Sequence, residues 1–237
     1  MATFVVAHGA WSAGWVWKKM HPLMSERGHR LVTPTHTGLG ERGHLARPEI
    51  DLEMHIADIS AVLEFEDLTQ VNLIGHSYGG MVATGVADRA RARVAQLIYL
   101  DAFVPDHGES VYDLLPSALR AQRKAGLRDG WQIPPVPMPP DTSAEDVAWC
   151  LPRRLPQPAK TFEQKLIFRN GPLTLPRHYI YCSRRQPDDR FRRFYERAQR
   201  EGWGAYELDA SHNPHITCPQ PLADLLDRIS RSTSARG

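Results

Sequence analysis

Ser77 is the residue whose neighbours best suit it to act as a nucleophile. Residues 71–80 read V-N-L-I-G-H-S-Y-G-G, so a strand-type run leads straight into G-x-S-x-G, and a helix-compatible stretch, 80–90, follows. A strand-to-helix turn that tight needs glycine on either side of the serine, because a side chain there would clash. The serine is then pushed above the sheet edge in a strained backbone, with its oxygen exposed. The N-terminus of the next helix points at the same spot, where a developing negative charge would be stabilised. The small residues Gly79, Gly80, Ala83 and Gly85 set this stretch apart from a chance G-x-S-x-G. A plain glycine-rich turn is the alternative.

A serine nucleophile needs donors for the oxyanion, a base and an acid behind the base. The apolar strand 3–7 ends in His8-Gly9-Ala10-Trp11, a loop where backbone N–H groups can approach a substrate oxygen without a side chain in the way. The expected donors are the N–H groups of Ala10 and Tyr78. A hydroxyl is a poor nucleophile until a base takes its proton. That base is expected in the loop after the last strand, where His212 fits and His215 is the alternative. Asp101 ends the strand 94–100, on the sheet edge where α/β proteins place their chemistry. Its structural alternative is a cap for the following turn. Asp188 and Asp189, beyond the strand 177–182, are the competing acids.

The elements that must position these residues alternate along the chain. Strands are expected at 3–7, 29–34, 71–74, 94–100, 177–182 and 205–208, with helices at 15–27, 52–63, 80–90, 188–201 and 221–229. This pattern predicts an α/β fold, a mostly parallel sheet of about six strands flanked by helices. Residues 106–175 differ in texture, with prolines clustered between short helical stretches, and are too long for a simple connection. The expected organisation is a core of 1–105 and 176–231, a helical cap over 106–175, and a disordered tail at 232–237. Trp11, Phe103, Trp131 and Trp149 are the expected substrate-binding residues, with packing beneath the cap as the alternative for the last two. His36 and His44, in the polar loop 35–44, read as solvated, and the arginine-rich helix 188–201 as a solvated face.

Composition narrows the functional class. A chain of 237 residues with net charge +2 reads as one domain with a large core and has no nucleic-acid or membrane footprint. No apolar run approaches the ~20 residues of a membrane span. The start carries no basic flank or cleavage site, so a cytoplasmic location is expected. Three cysteines, far apart and odd in number, suggest reduced thiols and form no zinc pattern. No metal or cofactor is expected. The expected partner is a small-molecule ester, and a homodimer is compatible with the chain.

With H-G-A-W-x-x-G-W near the start, G-H-S-Y-G-G-M, D-A-F-V-P-D, Y-I-Y-C and A-S-H before the final helix, the chain resembles small α/β-hydrolases related to plant hydroxynitrile lyases and salicylate methyl-ester esterases. The resemblance spans nearly the whole chain. It implies a six-stranded core, a helical cap, a cofactor-free Ser-His-Asp site and ester hydrolysis, with lactones and thioesters as variants. In that group the acid follows the strand equivalent to 177–182 in a T-E-D-type sequence, where this chain has Ser183-Arg184-Arg185. An arginine would oppose an imidazolium. Some haloalkane dehalogenases place the acid at the end of the strand before the cap, which favours Asp101, 24 residues after Ser77. Cyanohydrin cleavage in the resembled group goes with a threonine where this chain has Gly9 and a lysine where it has Asn213, which disfavours that lyase chemistry. A ligand receptor on the same fold is the reading from another class.

Overall fold

The central strands are apolar at both alternating sets of positions, and this buries the sheet on both faces. In the computed structural model, which describes residues 1–184 and 189–234, Val5, Leu73, Leu97, Tyr99 and Tyr179 pack into one core. Phe4, Val6, Ile74, Ile98, Leu100 and Ile180 pack into the other. Successive strand residues point to opposite faces, so such continuous runs are what a sheet covered on both sides requires.

The first half of the chain runs β1 (Thr3–Ala7), α1 (Met20–Glu26), β2 (Arg30–Val32), α2 (Leu52–Phe65), β3 (Val71–His76), α3 (Gly79–Arg89) and β4 (Val94–Leu100). The long connection then holds α4 (Val111–Leu114), α5 (Ser117–Ala125), β5 (Gln132–Ile133), α6 (Ala144–Cys150), β6 (Gln157–Pro158) and α7 (Lys160–Glu163). The chain closes with β7 (Arg177–Cys182), α8 (Arg192–Arg200), β8 (Gly204–Leu208), α9 (Pro214–Thr217) and α10 (Pro219–Ser234). The main sheet has six strands in the order β2-β1-β3-β4-β7-β8, every neighbouring pair parallel. Helices α2, α3 and α8 feed the first core, and α1 and α10 the second.

Register brings the strand ends level. Ala7 pairs with Gly75, His76 with Leu100, Leu100 with Ile180, and Cys182 with Leu208. The loops that follow these strands carry His8–Ala10, Ser77, Asp101 and His212, so parallel pairing alone gathers them on one edge. The strand order also reverses between β1 and β3, the switch point where open α/β sheets bind ligands.

Helix boundaries differ most from the sequence expectation at α1, α8 and α10. A 3₁₀ turn, Gly14–Trp17, precedes α1, which starts only at Met20. Pro22 then falls in the first turn, where its missing N–H costs no helical bond. Helix α8 begins at Arg192 rather than 188. Helix α10 runs to Ser234, into the stretch read as tail.

The connection between β4 and β7 docks on the core midway along its course and again on its return. The Trp11 indole N–H donates to the Ile133 carbonyl at 2.9 Å, and the Trp11 backbone N–H to Gln157 Oε1 at 3.2 Å. Both partners lie in the antiparallel β5–β6 pair. On its return the chain donates the N–H groups of Arg169 and Asn170 to the buried Asp88 carboxylate, at 2.7 and 3.1 Å.

Candidate active site

The turn from β3 to α3 holds Ser77 at φ 54°, a left-handed conformation that non-glycine residues rarely adopt. Close packing enforces it, since a Cβ on Gly79 would run into the Ala7 carbonyl oxygen. The turn is tied to the next strand by Ser77 N–H donating to the Leu100 carbonyl at 3.3 Å and Phe103 N–H donating to the Ser77 carbonyl at 3.1 Å. Asp101 is also left-handed, at φ 42°. Its N–H donates to the Ile180 carbonyl at 2.8 Å. The Tyr179 hydroxyl accepts from Ala102 N–H at 3.1 Å and donates to the Ala102 carbonyl at 2.9 Å. Non-glycine residues held this way mark places where surrounding structure over-determines the backbone.

His212 joins the two. Its Nε2 lies 2.9 Å from Ser77 Oγ, and its Nδ1 lies 2.6 Å from Asp101 Oδ2. A carboxylate only accepts, so Nδ1–H donates to Asp101 and the lone pair of the neutral ring's Nε2 faces the serine. The other Asp101 oxygen accepts from Cys182 N–H at 3.3 Å. The His212 ring lies parallel to Phe191, with centroids 5.0 Å apart, and its carbonyl accepts from His76 Nε2–H at 2.8 Å. His215 is placed differently. It is buried, stacks on Trp17 with centroids 4.7 Å apart, and burial lowers its pKa to about 3.

Asp189, the competing acid, accepts from the Tyr181 hydroxyl at 2.6 Å, and Asp188 lies outside the described residues. Arg184, in the Ser183-Arg184-Arg185 stretch that stands where the resembled group has its T-E-D-type sequence, pairs with Asp209 at 3.0 Å and Asp141 at 3.2 Å, and Arg185 lies outside the described residues. Arg184 thus ties the loop before His212 to the β4–β7 connection.

These groups open into a cavity of about 520 Å³ lined by Ala10, Trp11, Ser77, Tyr78, Phe103 and His212. Further walls that the sequence reading did not assign to the site come from Trp15, Leu115, Arg154 and Phe191. Trp131 and Trp149 do not line it. Trp149 sits a layer behind, its ring edge-on to Trp15 at 5.1 Å, and Trp131 accepts through its carbonyl from Ala159 N–H at 2.7 Å. Phe162, from α7, also lines the cavity.

His36 is not solvated. It is fully buried between the rings of His8 and His55, at centroid distances of 3.9 and 4.7 Å. His8 Nδ1–H donates to the Gly9 carbonyl at 2.9 Å and its Nε2 accepts from His36 N–H at 3.1 Å. His55 Nε2–H donates to the Thr37 carbonyl at 3.0 Å, and its Nδ1 accepts from the Tyr78 hydroxyl at 2.9 Å. Burial lowers the pKa of His8 and of His55 to about 4 and holds that of His36 well below its usual value.

Comparison with known proteins agrees with the fold. Residues 4–225 match the alpha/beta hydrolase family. The chain belongs to that family. This α/β-hydrolase is 38% identical, over 95% of its own length and 98% of the relative's, to a carbendazim hydrolyzing esterase of Nocardioides sp.. It is 26% identical to methylesterase 3 of Arabidopsis thaliana, over 95% of each chain. The solved structure of an extracellular alpha/beta-hydrolase from a Paenibacillus species superimposes on it with a TM-score of 0.83, at 24% identity over 96% of this chain and 98% of that one. This last likeness is one of fold.

Two positions bear on lyase chemistry within the family. At Gly9, a Cβ would come within 2.9 Å of His76 Nδ1, so a threonine there needs a shift of the buried histidine. Asn213, next to His212, carries no charge that could hold a departing anion.

Proposed function

We propose that this α/β-hydrolase cleaves small carboxylic esters, with lactones and thioesters as chemical variants, through an acyl-enzyme on Ser77. The observation that carries the reading is the unbroken hydrogen-bond chain Ser77–His212–Asp101 opening into an apolar cavity. His212 Nε2 takes the hydroxyl proton as Oγ attacks the ester carbonyl, and the carbonyl oxygen becomes an oxyanion held by Ala10 N–H and Tyr78 N–H. The imidazolium then protonates the departing alkoxide. Water, deprotonated by His212, attacks the acyl carbon and releases the acid and free Ser77. Asp101 stays ionised throughout, fixing the tautomer and stabilising the imidazolium. Each oxyanion donor is worth about 10²–10³ in rate.

Residues 106–175 act in this reading as a cap that shapes the cavity, over a core of 1–105 and 176–231. The docking of Trp11, next to the oxyanion donor Ala10, on Ile133 and Gln157 supports it. The esterase relative supports an ester as substrate. Among the described residues no helix is long and apolar enough to cross a membrane, and the three cysteines are free thiols, which favours a reducing, cytoplasmic setting.

The test is hydrolysis of p-nitrophenyl acetate and butyrate by the wild type, Ser77→Ala and Asp101→Asn. Turnover lost in both variants supports the assignment. Turnover that survives Asp101→Asn moves the acid elsewhere, and a folded wild type inert on esters, lactones and thioesters alike favours a receptor.

A further inference from the structure

The cavity that holds Ser77 is also lined by guanidinium groups that ester hydrolysis does not use. Arg154 follows the short turn after α6, is half-buried, and has its Cζ 5.8 Å from the centre of the Trp11 ring. Arg123, from α5, has its Cζ 5.2 Å from the same ring. Trp11 directly follows Ala10, so this charged wall adjoins the oxyanion donors. One Arg154 N–H group donates to the Val136 carbonyl, and among the described residues no carboxylate forms an ion pair with it.

The carboxylates lining the cavity are engaged by other groups. Asp101 holds His212, and Asp189 accepts from the Tyr181 hydroxyl. Arg184 also lines the cavity, but Asp141 and Asp209 neutralise it. A guanidinium drawn out of water into an apolar wall is costly unless an anion joins it, and burial accordingly lowers the Arg154 pKa. The neighbouring walls, Trp15, Phe103, Leu115 and Phe162, offer only apolar surface to a ligand's body. The planar fork of arginine matches a carboxylate in two-point contact.

We propose that the cavity selects esters whose apolar body ends in a carboxylate, with Arg154 as the anchor for that anion. This deepens the ester-hydrolase reading and rests on it for the reacting end of the molecule. Arg123 lies over the same indole.

Binding to Ser77→Ala tests the anchor without requiring turnover. Tryptophan fluorescence is titrated with the monomethyl esters of succinic, adipic and suberic acid and with the matching dimethyl esters. For the best chain length the half-ester is expected to bind on the order of ten- to a hundredfold more tightly than the diester. The advantage shrinks as salt rises, falls to about one in Ser77→Ala/Arg154→Gln, and returns in part with Arg154→Lys. Equal affinity for half-ester and diester at every length overturns the proposal, and so does an advantage that survives Arg154→Gln. If the double variant does not fold, the salt-dependent comparison within Ser77→Ala still decides. A preference for half-esters without wild-type turnover defeats the hydrolase reading alone, and turnover without preference defeats the anchor alone.

Discussion

Asp101 Oδ2 and His212 Nδ1 stand 2.6 Å apart although 111 residues separate them in the chain. Both follow strands of the parallel sheet, β4 and β8, with β7 between them. If Asp101 is the acid that orients the base, Asp101→Asn should lower kcat by about 10⁴-fold with KM little changed, because the amide no longer selects the Nδ1–H tautomer. Asp189→Asn should lower kcat by less than about tenfold. Steady-state kinetics on p-nitrophenyl butyrate with both variants check the pair.

Besides the Trp11 indole, the Gln157 side chain joins the β4–β7 connection to the loop after β1. Gln157 accepts from Trp11 N–H and donates through Nε2 to Thr161 Oγ1 at 2.9 Å. Gln157→Ala frees the backbone beside Ala10, and kcat should fall by about 10- to 100-fold through misplacement of the oxyanion donor. A thermal melt near that of the wild type would separate this from general destabilisation.

Much of this was legible in the sequence because local rules and the global fold agree there. The apolar runs gave the strands, G-x-S-x-G gave the strained turn, and strand ends in a parallel sheet share an edge. Ser77, His212 and Asp101 could be named for that reason, before any contact between them was known. The walls of the cavity were harder. Arg154 and Trp11 meet only because the β4–β7 connection folds back on the β1 loop, and no periodicity encodes that return. Trp149, open in the sequence between substrate contact and packing, packs behind the lining for the same reason, since an indole in that connection packs against the lining as readily as it forms it. His36 was misread because a polar loop can be buried when histidine rings stack on one another.

Stacked neutral histidines make stability depend on pH. His8 and His55 have pKa values of about 4 in the folded protein against 6.5 when unperturbed. Above pH 6.5 both states are neutral and the stabilisation is complete. Between 6.5 and about 4 the unfolded chain binds protons that the folded chain refuses, so stability falls as pH falls. Each histidine contributes about 1.4 kcal/mol per pH unit across that window. Urea midpoints measured across it should fall steeply, and less steeply in His55→Gln. A midpoint independent of pH in that range would contradict the buried stack.

Gly79 is packed against β1 with no room for a side chain. Gly79→Ala should destabilise by about 1–3 kcal/mol or more and misplace Ser77, so that thermal midpoint and kcat fall together. An alanine variant with wild-type stability and activity would mean that the turn relaxes without harm.

In the proposed reaction Ser77 attacks the substrate carbonyl. This attack is tested most directly by treating the wild type and His212→Ala with diethyl p-nitrophenyl phosphate and mapping the label by peptide mass spectrometry. The expected result is one diethylphosphoryl group on the wild type, located on Ser77, with p-nitrophenolate released in equal amount and labelling slowed by about 10³-fold or more in His212→Ala. A label on another residue, or one that forms equally fast without His212, would contradict it.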